Sequence, residues 1–185
     1  MAPGAAPRLN PFRVNFRELY ERHLARHSQY GINVLHLVAV VGMYLAWFAL
    51  AVRVLGLVVS PANAPWLLLA ILTPYFLALA LNLPPRLLAA AAPCMAAPVA
   101  VFAVPPLPEG LARVPLWLMV PLTLAVAVGC HKFQLWSHKI YDRAGDMTEF
   151  NKKYKKGKAL FALLAFYELP LLLNYLLFDR KSWSS

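Results

Sequence analysis

The first long apolar stretch of the chain, at positions 34–58, reads VLHLVAVVGMYLAWFALAVRVLGLV. It is longer than the roughly 20 residues that a helix needs to cross a bilayer, and Arg53 near its end can extend its charge to the interface. Of the 185 residues in the chain, 61% are hydrophobic and only 14% are charged. A soluble domain of this size rarely has such a composition, so the sequence predicts an integral membrane protein.

Further apolar stretches divide the chain into four or five predicted transmembrane helices. The predicted spans lie at about 34–58, 64–83, 87–105, 114–130 and 159–178. The third, rich in alanine and proline, and the fifth, which contains Glu168, are the weakest. We expect the prolines within these stretches to kink or end the helices, namely Pro74, Pro93, Pro98, Pro121 and Pro170. The predicted fold is an all-α bundle in a single membrane domain at 11–178, between a disordered segment at 1–10 and a tail at 179–185.

An amphipathic helix is predicted ahead of the first span, within residues 11–30. Apolar side chains recur there at helical spacing, and arginines occupy the positions between them. The apolar positions are Phe12, Phe16, Leu19, Tyr20 and Leu24. A helix of this kind can lie in the headgroup region of a membrane.

The net charge of +10 is concentrated in two basic segments. One is the N-terminal segment up to Arg26, and the other is the lysine-rich segment at 131–158. An even number of spans between them puts both segments on one side, and the excess of Lys and Arg predicts that this side is cytoplasmic. The charge is therefore interpreted as a topology signal, and nucleic-acid binding is not expected.

The five histidines form two groups on the flanks of the hydrophobic block. His23, His27 and His36 precede or begin the block, and His131 and His138 follow it. Neutral imidazole is the commonest metal ligand in proteins, and several of them with a carboxylate suit Fe(II), Zn or Mn. His23 is the histidine most easily explained as a bystander that faces solvent. Cys130 could supply a thiolate, although a buried inert thiol is the simpler interpretation.

The second histidine group lies on a predicted helix, where residues four or seven apart share a face. His131, Gln134, His138 and Asp142 then form one stripe at the end of the fourth span. Glu168 lies within an apolar stretch, where an unpaired carboxylate is costly. Two interpretations of Glu168 are open: a functional residue, or a structural partner of a nearby Lys or Arg.

Two motifs resemble those of the fungal and bacterial 2-hydroxy fatty acid dioxygenases, a membrane family long classed as a domain of unknown function. His27 and His36 reproduce its two histidines nine residues apart at the entry to the first span. Residues 133–142 reproduce its Phe-Gln-x3-His-x3-Glu motif, with Asp142 in place of Glu. The order of the motifs and the hydrophobic block between them also agree.

The resemblance implies an Fe(II)-dependent dioxygenase of lipid α-oxidation, which shortens a 2-hydroxy fatty acid by one carbon with O2. It implies that His27, His36 and His138 hold the iron, either alone or together with His131. Asp142 and Gln134 would orient these ligands, and Lys132 or Lys139 would pair with the substrate carboxylate. The expected location is the endoplasmic reticulum membrane of a eukaryote or the inner membrane of a bacterium, with the histidines on the cytoplasmic face.

Three other functions remain open from the sequence. Two histidines on facing helices could be the axial ligands of a haem used for electron transfer. The chain could instead be a non-enzymatic lipid-binding or assembly protein, which would hold no metal. A metal-dependent lipid hydroxylase or desaturase is a third alternative, although such enzymes need more His-x3-His pairs than the one at His23 and His27.

Overall fold

The computed structural model describes residues 10–141 and 158–179, and in these ranges the regular structure is helical, without a strand. The helices are α1 (Phe16–Leu24), α2 (Tyr30–Leu55), α3 (Ala64–Ile71), α4 (Thr73–Asn82), α5 (Pro85–Val101), α6 (Leu107–Arg113), α7 (Leu116–Ile140) and α8 (Lys158–Leu173). A 3₁₀ turn at Pro61–Asn63 precedes α3, and a π-helical turn at Asn174–Phe178 extends α8. The prediction of an all-α bundle is confirmed.

Four helical segments of the described chain are long and apolar enough to cross a bilayer. They are Tyr30–Leu55, Pro61–Asn82, Leu116–Ile140 and Leu160–Phe178, and Pro85–Val101 is a shorter apolar helix. This arrangement agrees with the predicted count of four to five spans. Of the two weakest predicted spans, the third is the shorter helix, whereas the fifth is long and apolar enough to cross. The protein is therefore a helical membrane protein by the length and composition of its helices.

Two helix ends differ from the predicted spans. The fourth span was predicted to end near 130, but α7 continues to Ile140. The apolar run stops at His131, whereas the helical backbone continues because no proline or glycine follows within α7. Similarly, α2 begins at Tyr30, ahead of the predicted start at 34. The extra turns at the start of α2 and at the end of α7 therefore place polar residues on a regular helix outside the apolar part of each span.

Proline breaks the second span where it was expected to. Helix α3 ends at Ile71, and α4 begins at Thr73 with Pro74 in its first turn. Proline lacks the N–H that would continue the hydrogen-bond ladder, so it fits best at a helix start. The other four prolines lie inside helices, with Pro93 and Pro98 in α5, Pro121 in α7 and Pro170 in α8.

Helices α2 and α7 pack against each other as an antiparallel pair along most of their length. Three contacts define the register: Tyr141 lies over Gly31, the Cys130 thiol lies beside Gly42, and the Arg53 guanidinium donates to the Val114 carbonyl at 2.9 Å. The start of α2 and the end of α7 therefore lie at one end of the bundle. The prediction that the two flanks of the hydrophobic block meet is confirmed by this pairing.

Helix α1 is amphipathic as predicted, but its apolar face lies against the bundle. Phe16, Leu19 and Tyr20 are buried in the hydrophobic core, and the Phe16 ring lies 6.5 Å from the Tyr167 ring of α8. The Tyr20 hydroxyl donates to the carboxylate of Asp179 at 2.7 Å. Because α8 covers this face of α1, the apolar side of the helix packs against the bundle. The sequence had suggested that this side could face the lipid headgroups.

Candidate metal centre

Three histidines from separate parts of the chain converge at the end of the bundle where α2 begins. His27 lies in the loop after α1, His36 lies in the second turn of α2, and His138 lies in the last turn of α7. One ring nitrogen from each lies within 4.8 Å of the others. We call these three residues the histidine cluster. It unites two of the histidines that precede the hydrophobic block with one that follows it.

The three rings face one another at nearly equal separations. Ring centroids are 4.6 Å apart for His27 and His36, 4.8 Å for His27 and His138, and 5.0 Å for His36 and His138. Each pair meets edge to face, at angles of 65° to 85°. Nitrogen atoms from three rings can therefore surround a common point, as ligands of a single metal ion do.

The loop that carries His27 is fixed by Asn33, which is fully buried. The Asn33 amide donates to the backbone carbonyls of His27, at 2.7 Å, and Gln29, at 2.8 Å. The hydroxyl of Tyr175 donates to the carbonyl of Ser28 in the same loop. These bonds hold both sides of the loop, so His27 occupies a defined position although it lies outside a helix.

His23 is part of the same polar assembly, contrary to the interpretation that it faces solvent. It is buried, and its ring stacks on the His27 ring with centroids 4.4 Å apart. Its Nε2 atom lies 2.7 Å from Oδ1 of Asn33. Because the Asn33 NH₂ group already donates to two carbonyls, Oδ1 is the acceptor and Nε2 of His23 carries the proton. Burial lowers the pKa of His23 to about 4, so the ring is neutral at pH 7.

His27 is likewise held in its neutral form. Burial, together with the charges that His23, His36 and His138 would carry, keeps the pKa of His27 far below its usual range. A neutral imidazole is the form that binds a metal, since a protonated ring has no free lone pair. The site therefore favours the form of His27 that can act as a ligand.

Glu168 of α8 lies beside the histidine cluster. Its Oε1 atom is 3.3 Å from Nδ1 of His36 and accepts a hydrogen bond of 2.7 Å from the side-chain amide of Gln134. The sequence left open a functional role or a partnership with Lys or Arg, and the partners in the structure are a histidine and an amide. Gln134, which was predicted at the site, is buried and reaches it through this carboxylate.

Buried nitrogen atoms without hydrogen bonds support the assignment of this site to a metal. Both ring nitrogens of His27 and Nε2 of His36 are buried and have no hydrogen-bond partner among the described residues. Leaving a buried polar atom unpaired costs about 1–3 kcal/mol. A divalent ion would bind one lone pair on each ring and so satisfy Nε2 of His36 and one of the two nitrogens of His27, and the residues present therefore fit a metal.

Among the described residues, the other predicted site residues are not part of the histidine cluster. His131 is exposed on α7 and is not among the three histidines that converge, and Lys132 and Lys139 are exposed on the same helix. Asp142 lies outside the described residues. Cys130 has a free thiol that packs near Gly42, and it is not part of the histidine cluster.

Sequence reasoning did not assign roles at this site to Asn33 or to Glu168. The rule that a carboxylate in an apolar stretch needs a partner drew attention to Glu168, but the partner considered was Lys or Arg, and a histidine of the site was not. Asn33 gave a weaker signal: it lies one helical turn before His36, on a helix that is otherwise apolar at this end.

Comparison with known proteins gives no relative for this chain. No protein-family model, curated protein or solved structure matches it. The site is therefore interpreted from its own geometry and chemistry, together with the motif resemblance described above.

Proposed function

We propose that the protein is a non-haem Fe(II)-dependent membrane dioxygenase that shortens 2-hydroxy fatty acids by one carbon. The observation that carries this proposal is the convergence of His27, His36 and His138 at one end of a bundle of apolar helices. Three neutral nitrogen ligands leave coordination positions for substrate and O2, as non-haem Fe(II) oxygenases require. The spacing of these histidines in the sequence also resembles the motifs of the 2-hydroxy fatty acid dioxygenases.

The proposed reaction balances without a further reductant. A 2-hydroxy acid and O2 give the acid one carbon shorter, CO2 and water; the bond between C1 and C2 breaks, C2 is oxidised to a carboxylic acid, and O2 is reduced. The iron, when bound, would supply a site that brings substrate and O2 together and activates O2. The protein would contribute the ligands, their orientation and exclusion of bulk water.

The position of the site suits an amphiphilic substrate. The histidine cluster lies at the start of α2 and the end of α7, at the boundary of the apolar part of each helix. A 2-hydroxy acid could place its hydroxyl and carboxylate at the cluster and its hydrocarbon chain along apolar helix surface. We propose that Lys132 or Lys139, near the end of α7, pairs with the substrate carboxylate, and that Asp142 has an orienting role.

The proposed membrane orientation has the histidine cluster at the cytoplasmic face. The basic residues of the N-terminal segment and of 131–158 support it, because cytoplasmic loops carry an excess of Lys and Arg. The membrane would be the endoplasmic reticulum membrane in a eukaryotic cell or the inner membrane in a bacterium.

Turnover by the purified protein tests the function. The detergent-solubilised protein is loaded anaerobically with Fe(II), mixed with a 2-hydroxy fatty acid and O2, and the products are measured by mass spectrometry. We expect the shortened acid from the wild type and from His131→Ala, and its loss in His138→Ala. These variants are matched, because both remove an imidazole from the same helix. Full activity in His138→Ala, or no product with iron bound, would overturn the proposal.

A further inference from the structure

We propose that Glu168 is the positioning residue of the metal site: it sets which nitrogen of His36 binds the ion and, through Gln134, ties that ligand to the helix of His138. The inference rests on the metal site of the proposed function but not on its substrate. Sequence motifs gave no role in the site to this carboxylate.

The proton on His36 follows from the chemistry of its partner. An ionised carboxylate can only accept hydrogen bonds, so the 3.3 Å contact between Nδ1 of His36 and Oε1 of Glu168 requires the proton on Nδ1. The lone pair of the neutral ring is then on Nε2. That atom is buried and has no hydrogen-bond partner among the described residues. The carboxylate thus leaves free the nitrogen that a metal would use, as in carboxylate–histidine–metal arrangements.

Gln134 extends the link from Glu168 to α7. Its amide donates to the same Oε1 atom at 2.7 Å, and it lies one helical turn before His138. Because residues four apart share a helix face, the hydrogen bond fixes the rotation of α7 at the turn that carries the ligand. One carboxylate oxygen of α8 therefore contacts residues of both α2 and α7.

Glu168 is better placed to orient a ligand than to be one. The group of ligand atoms that lie within 4.8 Å of one another contains the three histidines and does not include this carboxylate. Both groups that contact Oε1 come from residues buried in the bundle. Its position therefore matches that of an outer partner of the metal site.

Zinc binding by the variants tests this role without any need for turnover. The wild type and Glu168→Gln are compared by Zn²⁺ titration in detergent, with Glu109→Gln as the control, because Glu109 is an exposed carboxylate on α6. We expect Glu168→Gln to bind Zn²⁺ about 10–100-fold more weakly, which is the usual effect of losing an outer partner. Glu109→Gln should bind Zn²⁺ like the wild type.

The tautomer of His36 distinguishes positioning from a general structural role. In the Zn²⁺-loaded protein labelled with ¹⁵N-histidine, the His36 resonances should show a protonated Nδ1 and a metal-bound Nε2. In Glu168→Gln the amide can turn its NH₂ group as well as its oxygen toward Nδ1, so we expect the single tautomer to be lost while the fold, judged by size-exclusion chromatography, is retained. If Glu168→Gln fails to fold, Gln134→Met removes only the second hydrogen bond and should weaken Zn²⁺ binding by about tenfold.

The outcomes separate this inference from the proposed function. Wild-type affinity and an unchanged His36 tautomer in folded Glu168→Gln would overturn the role of Glu168 and leave the metal site intact. Wild-type affinity in Gln134→Met, where that variant is the one that folds, would do the same. A wild-type protein that binds no Zn²⁺ would overturn both. Binding as expected without conversion of 2-hydroxy acids would overturn only the dioxygenase proposal.

Discussion

The rings of His27 and His138 lie edge to face with their centroids 4.8 Å apart, although His27 precedes the first span of the bundle and His138 lies in the last turn of α7. This contact exists because α2 and α7 are antiparallel and because the loop that carries His27 folds back over the start of α2. The predictions that follow test the parts of the structure that hold these two rings together.

Removal of the Asn33 side chain should destabilise the protein and weaken metal binding. Asn33→Ala leaves the carbonyls of His27 and Gln29 and the Nε2–H of His23 without their partner. Unsatisfied buried groups cost about 1–3 kcal/mol each, so we expect a loss of several kcal/mol, measured by thermal unfolding in detergent. The control is Asn63→Ala at an exposed turn position, which should unfold like the wild type. Equal melting temperatures for both variants would contradict this account of the loop.

A bulky residue at Gly42 should push α2 and α7 apart. A Cβ atom at this position would lie 3.2 Å from the sulfur of Cys130, so Gly42→Leu overpacks the contact. We expect a loss of about 1–3 kcal/mol and weaker metal binding, because His36 and His138 are on the two separated helices. Gly129→Leu is the matched control, since a Cβ there meets no described atom within 4 Å. Replacement of Cys130 by Ala in the Gly42→Leu background should restore part of the stability, and no rescue would argue against this contact.

Acid should destabilise the metal-free protein through His23. Burial lowers the pKa of His23 from 6.5 to about 4, so the unfolded chain binds a proton that the folded protein does not. The contribution of neutral His23 to the free energy of unfolding is fully present above pH 6.5. It falls as the pH drops below that value and is lost near pH 4, which is a change of up to about 3 kcal/mol. Melting temperatures in the presence of a chelator should therefore fall between pH 7 and pH 4.5. The fall in melting temperature with decreasing pH should be smaller in His23→Gln. An unchanged fall in that variant would assign the effect to other groups.

The sequence predicted the helical class, a count of four to five spans and the meeting of the two histidine groups. These features follow from hydrophobic length and from the even number of spans, which need no knowledge of side-chain contacts. It did not decide whether His131 joins His27, His36 and His138, because a helix stripe allowed both His131 and His138. Packing of α7 on α2 leaves His131 exposed. The same limit applies to Glu168, because its contact with His36 joins residues far apart in the chain and depends on how α8 packs.

The apolar face of α1 illustrates a second limit of the sequence. Helical spacing predicted Phe16, Leu19 and Tyr20 on one side, and the structure confirms that grouping. An amphipathic pattern does not distinguish a face covered by lipid from a face covered by another helix. In the protein, α8 covers that face.

The most direct test of the central claim is the metal content of the detergent-purified protein, measured beside its visible spectrum after anaerobic loading with Fe(II). The account predicts about one non-haem iron per chain in the wild type and in His131→Ala, no Soret band, and loss of the iron in His27→Ala, His36→Ala and His138→Ala. Retention of stoichiometric iron in those three variants, a Soret band, or a wild-type protein without bound metal would contradict it.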